Sequence, residues 1–214
     1  MDFSFKVVKK DKKFHARNGI LETPHGKIAT PAFAVVATRA TVRGLDPCDI
    51  KAAGTQVVLG NAYHLYLHPG LEVIDKFGGF SKMMKWDGPT ITDSGGYQVS
   101  FLWNGKESGI QNSKARITDE GMYFRSYIDG SMHLLTPEKS MLIQNTLGAD
   151  IIMAFDQPMG YKFSRGENKK AWLRTFAWEE RSFNTWKKLE EKRKRGTPQA
   201  LFGIIQGQTD KNMR

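Results

Sequence analysis

The run Thr90-Ile91-Thr92-Asp93-Ser94-Gly95-Gly96-Tyr97-Gln98 ends a short β-branched segment in a carboxylate. A hydroxyl, two glycines, a phenol ring and an amide follow at once. A carboxylate so placed can carry a proton. Gly95 and Gly96 let the backbone turn tightly and let a flat ligand approach it. Tyr97 offers a ring on which a base can stack. Two further apolar runs end in polar groups, one in Asp156 and one in Gln206-Gly207. A carboxylate suits paired N–H donors, and an amide N–H suits a ring carbonyl. Asp93, Asp156 and Gln206 together therefore fit the edge of a purine such as guanine. The competing reading is that Asp93 caps a helix start, with Ser94-Gly95-Gly96 as an ordinary loop. That motif alone does not separate the two.

Those groups need strands that end on one face. The apolar runs are short and rich in Val and Ile, as expected of strands buried on both faces of a parallel sheet. They are expected to end near Val36, Leu59, Asp93, Asp156 and Gln206. Helices are expected from Asp46-Pro47 to Gly54, from a Thr136 N-cap and Pro137 to Gly148, and from about Asn168 to Arg193. Hairpins are expected to turn at His25-Gly26 and Asp129-Gly130. Trp172, Phe176, Phe183 and Trp186 recur at helical spacing and read as core contacts. His64 and His68 stand at i, i+4, which on a helix could bind a metal. Pro69 ends any helix there and no third ligand lies nearby, so loop packing is the expectation. A barrel of alternating strands and helices collects strand ends on one face, and an open doubly wound sheet also binds ligands at strand ends.

The whole chain bounds the class. Its 214 residues suffice for one domain with a sizeable core, with 40% apolar and 25% charged residues. No apolar run approaches the roughly 20 residues needed to span a bilayer, and the N-terminus lacks the pattern of a signal peptide. The single cysteine, Cys48, excludes an internal disulfide framework and fits a reducing cytoplasm. A formal net charge of +10 favours a polyanionic partner, nucleic acid first.

The stretches TPAFAVVATRATVRGL, VLGNAYHLYLHPG, TITDSGGYQV, YIDGSMHLLTPEKSMLIQNTLGADIIMAFD and FGIIQG occur in this order. In them the chain resembles the queuine tRNA-ribosyltransferases, or tRNA-guanine transglycosylases, of the bacterial type, from about Gly19 to Gln208. The resemblance implies an α/β fold, the (β/α)8 TIM barrel, of which residues 1–214 supply about the first five strands as one domain. It implies exchange of guanine at the anticodon wobble position of tRNA for a 7-deazaguanine (preQ1 in bacteria, queuine elsewhere) in queuosine biosynthesis. The exchange would run through a covalent ribosyl–enzyme intermediate, much as in retaining glycosidases. Matched by motif, Asp93 is the general acid/base and Ser94, Gly95, Gly96 and Tyr97 contact the base. Asp156 and Gln206 read its edge, and Gly207 lies with them in the substrate-binding set. The implied partners are tRNA, the 7-deazaguanine base and, in the full-length form, a second copy.

The family's nucleophilic aspartate and its Cys and His zinc ligands lie further along than Arg214. No nucleophile and no metal ligand is therefore expected within 1–214, and zinc belongs to a subdomain beyond it. The chain reads as a fragment that is inactive alone. Gln157-Pro158-Met159 stands where the family usually has an acid and a cysteine, and residues 102–117 read as a longer loop, either a lid or an insertion. Two rivals remain: a non-catalytic tRNA-binding partner on the same barrel, and an unrelated barrel glycosidase using Asp93 and Asp156. Retention of Asp93 favours an enzyme over a binder, and the Ser-Gly-Gly-Tyr loop disfavours the glycosidase.

Overall fold

The computed structural model describes residues 3–103, 116–160, 163–193 and 196–214. Its centre is a parallel sheet of five strands: β4 (Ala34–Ala37), β5 (Val57–Gly60), β6 (Thr90–Thr92), β10 (Ile151–Met153) and β11 (Ala200–Phe202). Their spatial order follows the chain, with no reversal of the kind that makes a doubly wound switch point. Among the described residues β4 and β11 form the two outer edges and do not pair with each other.

Helices fill the connections. α1 (Pro47–Ala52) starts on a capping box between Asp46 and Asp49 and ends one residue before the expected Gly54 region, at an Ala53 cap. α2 (Ala62–Leu67), α3 (Leu71–Phe77) and α4 (Phe80–Met83) lead to β6. α5 (Gly96–Trp103) follows β6. α6 (Pro137–Leu147) has the expected Thr136 N-cap, and Gly148 ends it in the left-handed conformation. α7 (Arg165–Lys192) begins three residues before the expected Asn168, because Ser164 and Glu167 form a capping box.

Two antiparallel sheets flank the centre. β1 (Ser4–Lys10), β2 (Arg17–Thr23) and β3 (Gly26–Thr30) form a meander. Thr23 pairs with Gly26, so the turn is Pro24-His25, one residue earlier than the sequence suggests. His25 Nδ1 lies 2.6 Å from Asp150 Oδ1, and the other oxygen of this fully buried carboxylate accepts from Thr90 N at 2.8 Å. The meander is thus pinned where β6 and β10 begin, which leaves their C-terminal ends free. The second sheet is β7 (Arg116–Ile117), β8 (Met122–Arg125) and β9 (Met132–Leu135), with the expected Asp129-Gly130 turn between β8 and β9. It packs on α5 through β8. Of the 102–117 loop, only its last two residues and the end of α5 fall within the described residues.

The core corrects one expectation. Trp178 and Phe155 are fully buried with ring centroids 4.9 Å apart, and Trp178 anchors α7 on the sheet. Phe176 is 69% exposed and Phe183 50%, so neither is a core contact. Trp186 packs against the core and donates to Gln199 O at 2.9 Å. The buried stripe is instead Ala171, Thr175, Trp178 and Ser182. Polar groups occupy it because they meet backbone amides there, as described below.

Candidate active site

Asp93 directly follows β6, in the gap between the ends of β5 and β10. Its Oδ1 accepts from Ala62 N at 2.8 Å, the first residue of α2. Its Oδ2 accepts from Asn61 Nδ2 at 2.6 Å and, more loosely, from Gln98 Nε2 at 3.5 Å. The carboxylate therefore does stand at a helix start, but that of α2 on the neighbouring strand rather than that of α5. Burial pushes the Asp93 carboxyl up to about 6, against the Ala62 and Gly95 N–H groups, and the nearby Asp156 charge adds to the rise.

Asp156 lies three residues beyond β10 and Gln206 four beyond β11, so neither is the strand-end residue the sequence suggests. The chain still brings them together. Gln206 Nε2 donates to Asp156 Oδ2 at 2.6 Å, and Ser94 Oγ donates to Asp156 Oδ1 at 3.3 Å. Burial raises the Asp156 carboxyl to about 6, opposed by these hydrogen bonds, and the charge of Glu179 adds to the rise. Ser94 links the two acids. Its backbone carbonyl accepts from Ser140 Oγ at 2.7 Å, and Ser140 in turn accepts from Gln144 Nε2 at 3.1 Å. Gln144 Oε1 also takes Thr92 Oγ1 at 3.0 Å and Met153 N at 2.9 Å. One buried glutamine of α6 thus fixes the ends of both β6 and β10.

The glycines are explained by close approach. Gly95 has φ 78° and its missing Cβ faces Tyr63 N at 3.3 Å. A Cβ on Gly96 would stand 2.7 Å from the Asp156 carbonyl. Gly96→Ala is therefore expected to displace the Asp156 segment and to cost ~1–3 kcal/mol, read as a lowered urea midpoint. A midpoint equal to that of the parent would show that the segment yields freely. Gly207 has φ 105°, and a Cβ there would meet Met213 O at 2.7 Å. Tyr97 is 55% exposed on α5, its ring centroid 4.2 Å from that of Phe101.

Asn61 is the site residue that the sequence reading missed. It caps α2 through Oδ1 while its amide holds Asp93. The polar Gly60-Asn61 pair closing β5 carried the only signal. Beside it Tyr63 Oη and Gln98 Oε1 are buried without a hydrogen-bond partner among the described residues, and burial pushes the Tyr63 phenol up to about 12. Gln157 is buried and turned to α7, its Oε1 accepting from Arg174 Nη1 at 2.7 Å. His64 is helical rather than in a loop, its Nδ1 3.2 Å from Tyr127 Oη, while His68 is the C-cap of α2.

The sequence profile of the queuine tRNA-ribosyltransferase family matches residues 11–214. The chain belongs to this family. It is 46% identical over 210 residues to a queuine tRNA-ribosyltransferase of Thermoanaerobacter pseudethanolicus, covering 98% of this chain and 52% of the relative. It is 47% identical over 210 residues to one of Caldanaerobacter subterraneus subsp. tengcongensis, with the same coverage of 98% and 52%. To that of Aquifex aeolicus it is 43% identical over 212 residues, covering 99% and 53%. The chain thus spans about half the length of the curated relatives it matches.

Proposed function

We propose that this chain carries the proton-transfer and base-reading half of a tRNA-guanine transglycosylase. The observation that carries the reading is the joined set Asp93, Ser94, Asp156 and Gln206, drawn from the ends of three adjacent parallel strands. The target nucleotide is turned out of the tRNA stack into the gap beside these strand ends. The N1–H and the exocyclic amino N–H of guanine go to the ionised Asp156, and the ring carbonyl takes the Gln206 amide that now rests on Asp156. Asp93 protonates the departing base and takes a proton from the incoming 7-deazaguanine, preQ1 in a bacterial enzyme. A carboxyl raised toward neutrality suits that exchange of roles. Ser94 holds Asp156, Gly95 and Gly96 admit the flat base, and Gly207 lets the chain turn after Gln206. Tyr97 covers the base from the exposed rim.

The nucleophile that forms the ribosyl–enzyme bond is not assigned among residues 1–214. Closure into an eight-stranded barrel is supported by the apolar side chains on both outer strands, Phe33 and Val36 beside β4 and Phe202 and Ile205 beside β11, all exposed. For the zinc that the family resemblance implies, no three His, Cys, Asp or Glu side chains come together as a ligand set among the described residues, so no step here runs through it. Binding of tRNA is supported by the +10 charge. No described helix is long and apolar enough to cross a membrane. A role on tRNA would put the protein in the cytoplasm, and the family resemblance implies a homodimer.

Retention of Asp93 beside an acid–amide pair favours an enzyme over a tRNA-binding partner. The test is calorimetry with guanine and preQ1. Gln206→Ala and Asp156→Ala are each expected to weaken binding about 10-fold or more, since each leaves a buried partner unpaired. Unchanged affinity in both variants would place the base elsewhere.

A further inference from the structure

α7 turns three polar side chains onto the sheet at i, i+4 and i+7, one face of a helix. Thr175 and Ser182 are buried, with Glu179 between them beside Trp178. Each meets a backbone N–H just past a strand end. Ser182 Oγ accepts from Phe155 N at 3.1 Å and Thr175 Oγ1 from Gln157 N at 3.0 Å. The amides on both sides of Asp156 are therefore held by α7. Glu179 Oε1 accepts from Ile204 N, two residues before Gln206.

These three N–H groups lie beyond Met153 and Phe202, where β10 and β11 end. Buried amides outside a ladder need another acceptor, and an apolar helix face could not supply one. We propose that the Thr175, Glu179 and Ser182 stripe is a positioning clamp that sets Asp156 against Gln206, with Glu179 fixing the Gln206 side. The inference rests on the base-reading role proposed above. It adds residues that touch no substrate and act through the backbone. Using a carboxylate for one of the acceptors has a second effect. Glu179 is the charge from α7 that faces Asp156, and Asp93 faces it from the β6 side. The other charged α7 residue here, Arg174, is engaged by Gln157 and Asp119. A negative Glu179 keeps Asp156 protonated to higher pH than it would otherwise be.

Glu179→Met fills the space without an oxygen acceptor, and Glu179→Gln keeps the acceptor and removes the charge. Amide exchange by NMR and guanine calorimetry across pH read both variants. Glu179→Met is expected to speed exchange at Ile204 N–H and weaken guanine binding, each by about 10-fold. Glu179→Gln is expected to recover most of both losses and to move the acid limb of guanine binding to lower pH. Wild-type exchange at Ile204 in Glu179→Met would overturn the clamp, and an acid limb unmoved in Glu179→Gln would overturn its effect on Asp156. Where Glu179→Met fails to fold, Thr175→Val and exchange at Gln157 N–H read the clamp in the same way. A parent chain that binds no guanine would refute the purine reading instead, and exchange at Ile204 would then decide the clamp alone.

Discussion

Asp93→Asn is expected to abolish the base exchange proposed above, measured in the full-length protein, lowering kcat/KM by at least ~10²-fold. An amide cannot give up a proton to a departing purine or take one from its replacement. The site makes this loss specific. The groups proposed to read the base edge are Asp156, Gln206 and Ser94, which hydrogen-bond to one another and not through Asp93, so guanine should still bind to the variant. One local change accompanies the substitution. The Asn61 amide now donates to Asp93 at 2.6 Å, and an amide at position 93 can face it donor to donor. Guanine calorimetry on the same variant separates a lost proton carrier from a disordered pocket. Exchange at a rate near that of the parent enzyme would remove Asp93 from the role of general acid/base. It would shift attention to Asp156.

Much of this arrangement was legible because it is local. The Thr136 cap, the Gly148 stop and the Asp129-Gly130 turn depend on neighbours in the chain, and the acid ending a β-branched run marks a strand end whatever surrounds it. What failed depends on partners far away in sequence. The apolar periodicity of the long helix pointed to Phe176 and Phe183, yet α7 faces the sheet with Thr175, Glu179 and Ser182. A periodic pattern does not say that backbone amides past the ends of β10 and β11 will need acceptors. Asn61 was missed for the same reason, because its amide serves a carboxylate 32 residues away. Gln206 was expected at a strand end. β11 stops at Phe202, and the next backbone amide to be held, Ile204, goes to α7 instead of a neighbouring strand.

Holding two acids near neutrality in one site has a consequence for the fold, and stability is expected to fall as pH rises from about 4.5 to 7. In the folded chain burial holds both Asp93 and Asp156 at about 6, against 3.8 for the free side chain. Below about 4 folded and unfolded chains both carry the protons, and these groups contribute nothing. Between about 4 and 6 the unfolded chain ionises first, so it gains relative to the folded one. Above about 6 the loss is complete, on the order of 3 kcal/mol for either carboxylate taken alone. The two are not simply additive because each charge raises the other's cost. The exposed aspartates held low, such as Asp129 at about 2, have finished their opposite contribution below this window, and Glu22 and Glu167 finish theirs in its lowest part. His64 and His133, both lowered by burial, oppose the trend with smaller shifts. Asp156→Asn isolates the carboxylate from the histidines. Urea midpoints should decline from pH 4.5 to 7 in the parent and decline less in the variant. Parallel pH profiles for the two chains would mean that Asp156 is not held protonated in the fold. A third profile, for Asp93→Asn, parallel to these would leave Asp93 without a proton to give near neutral pH.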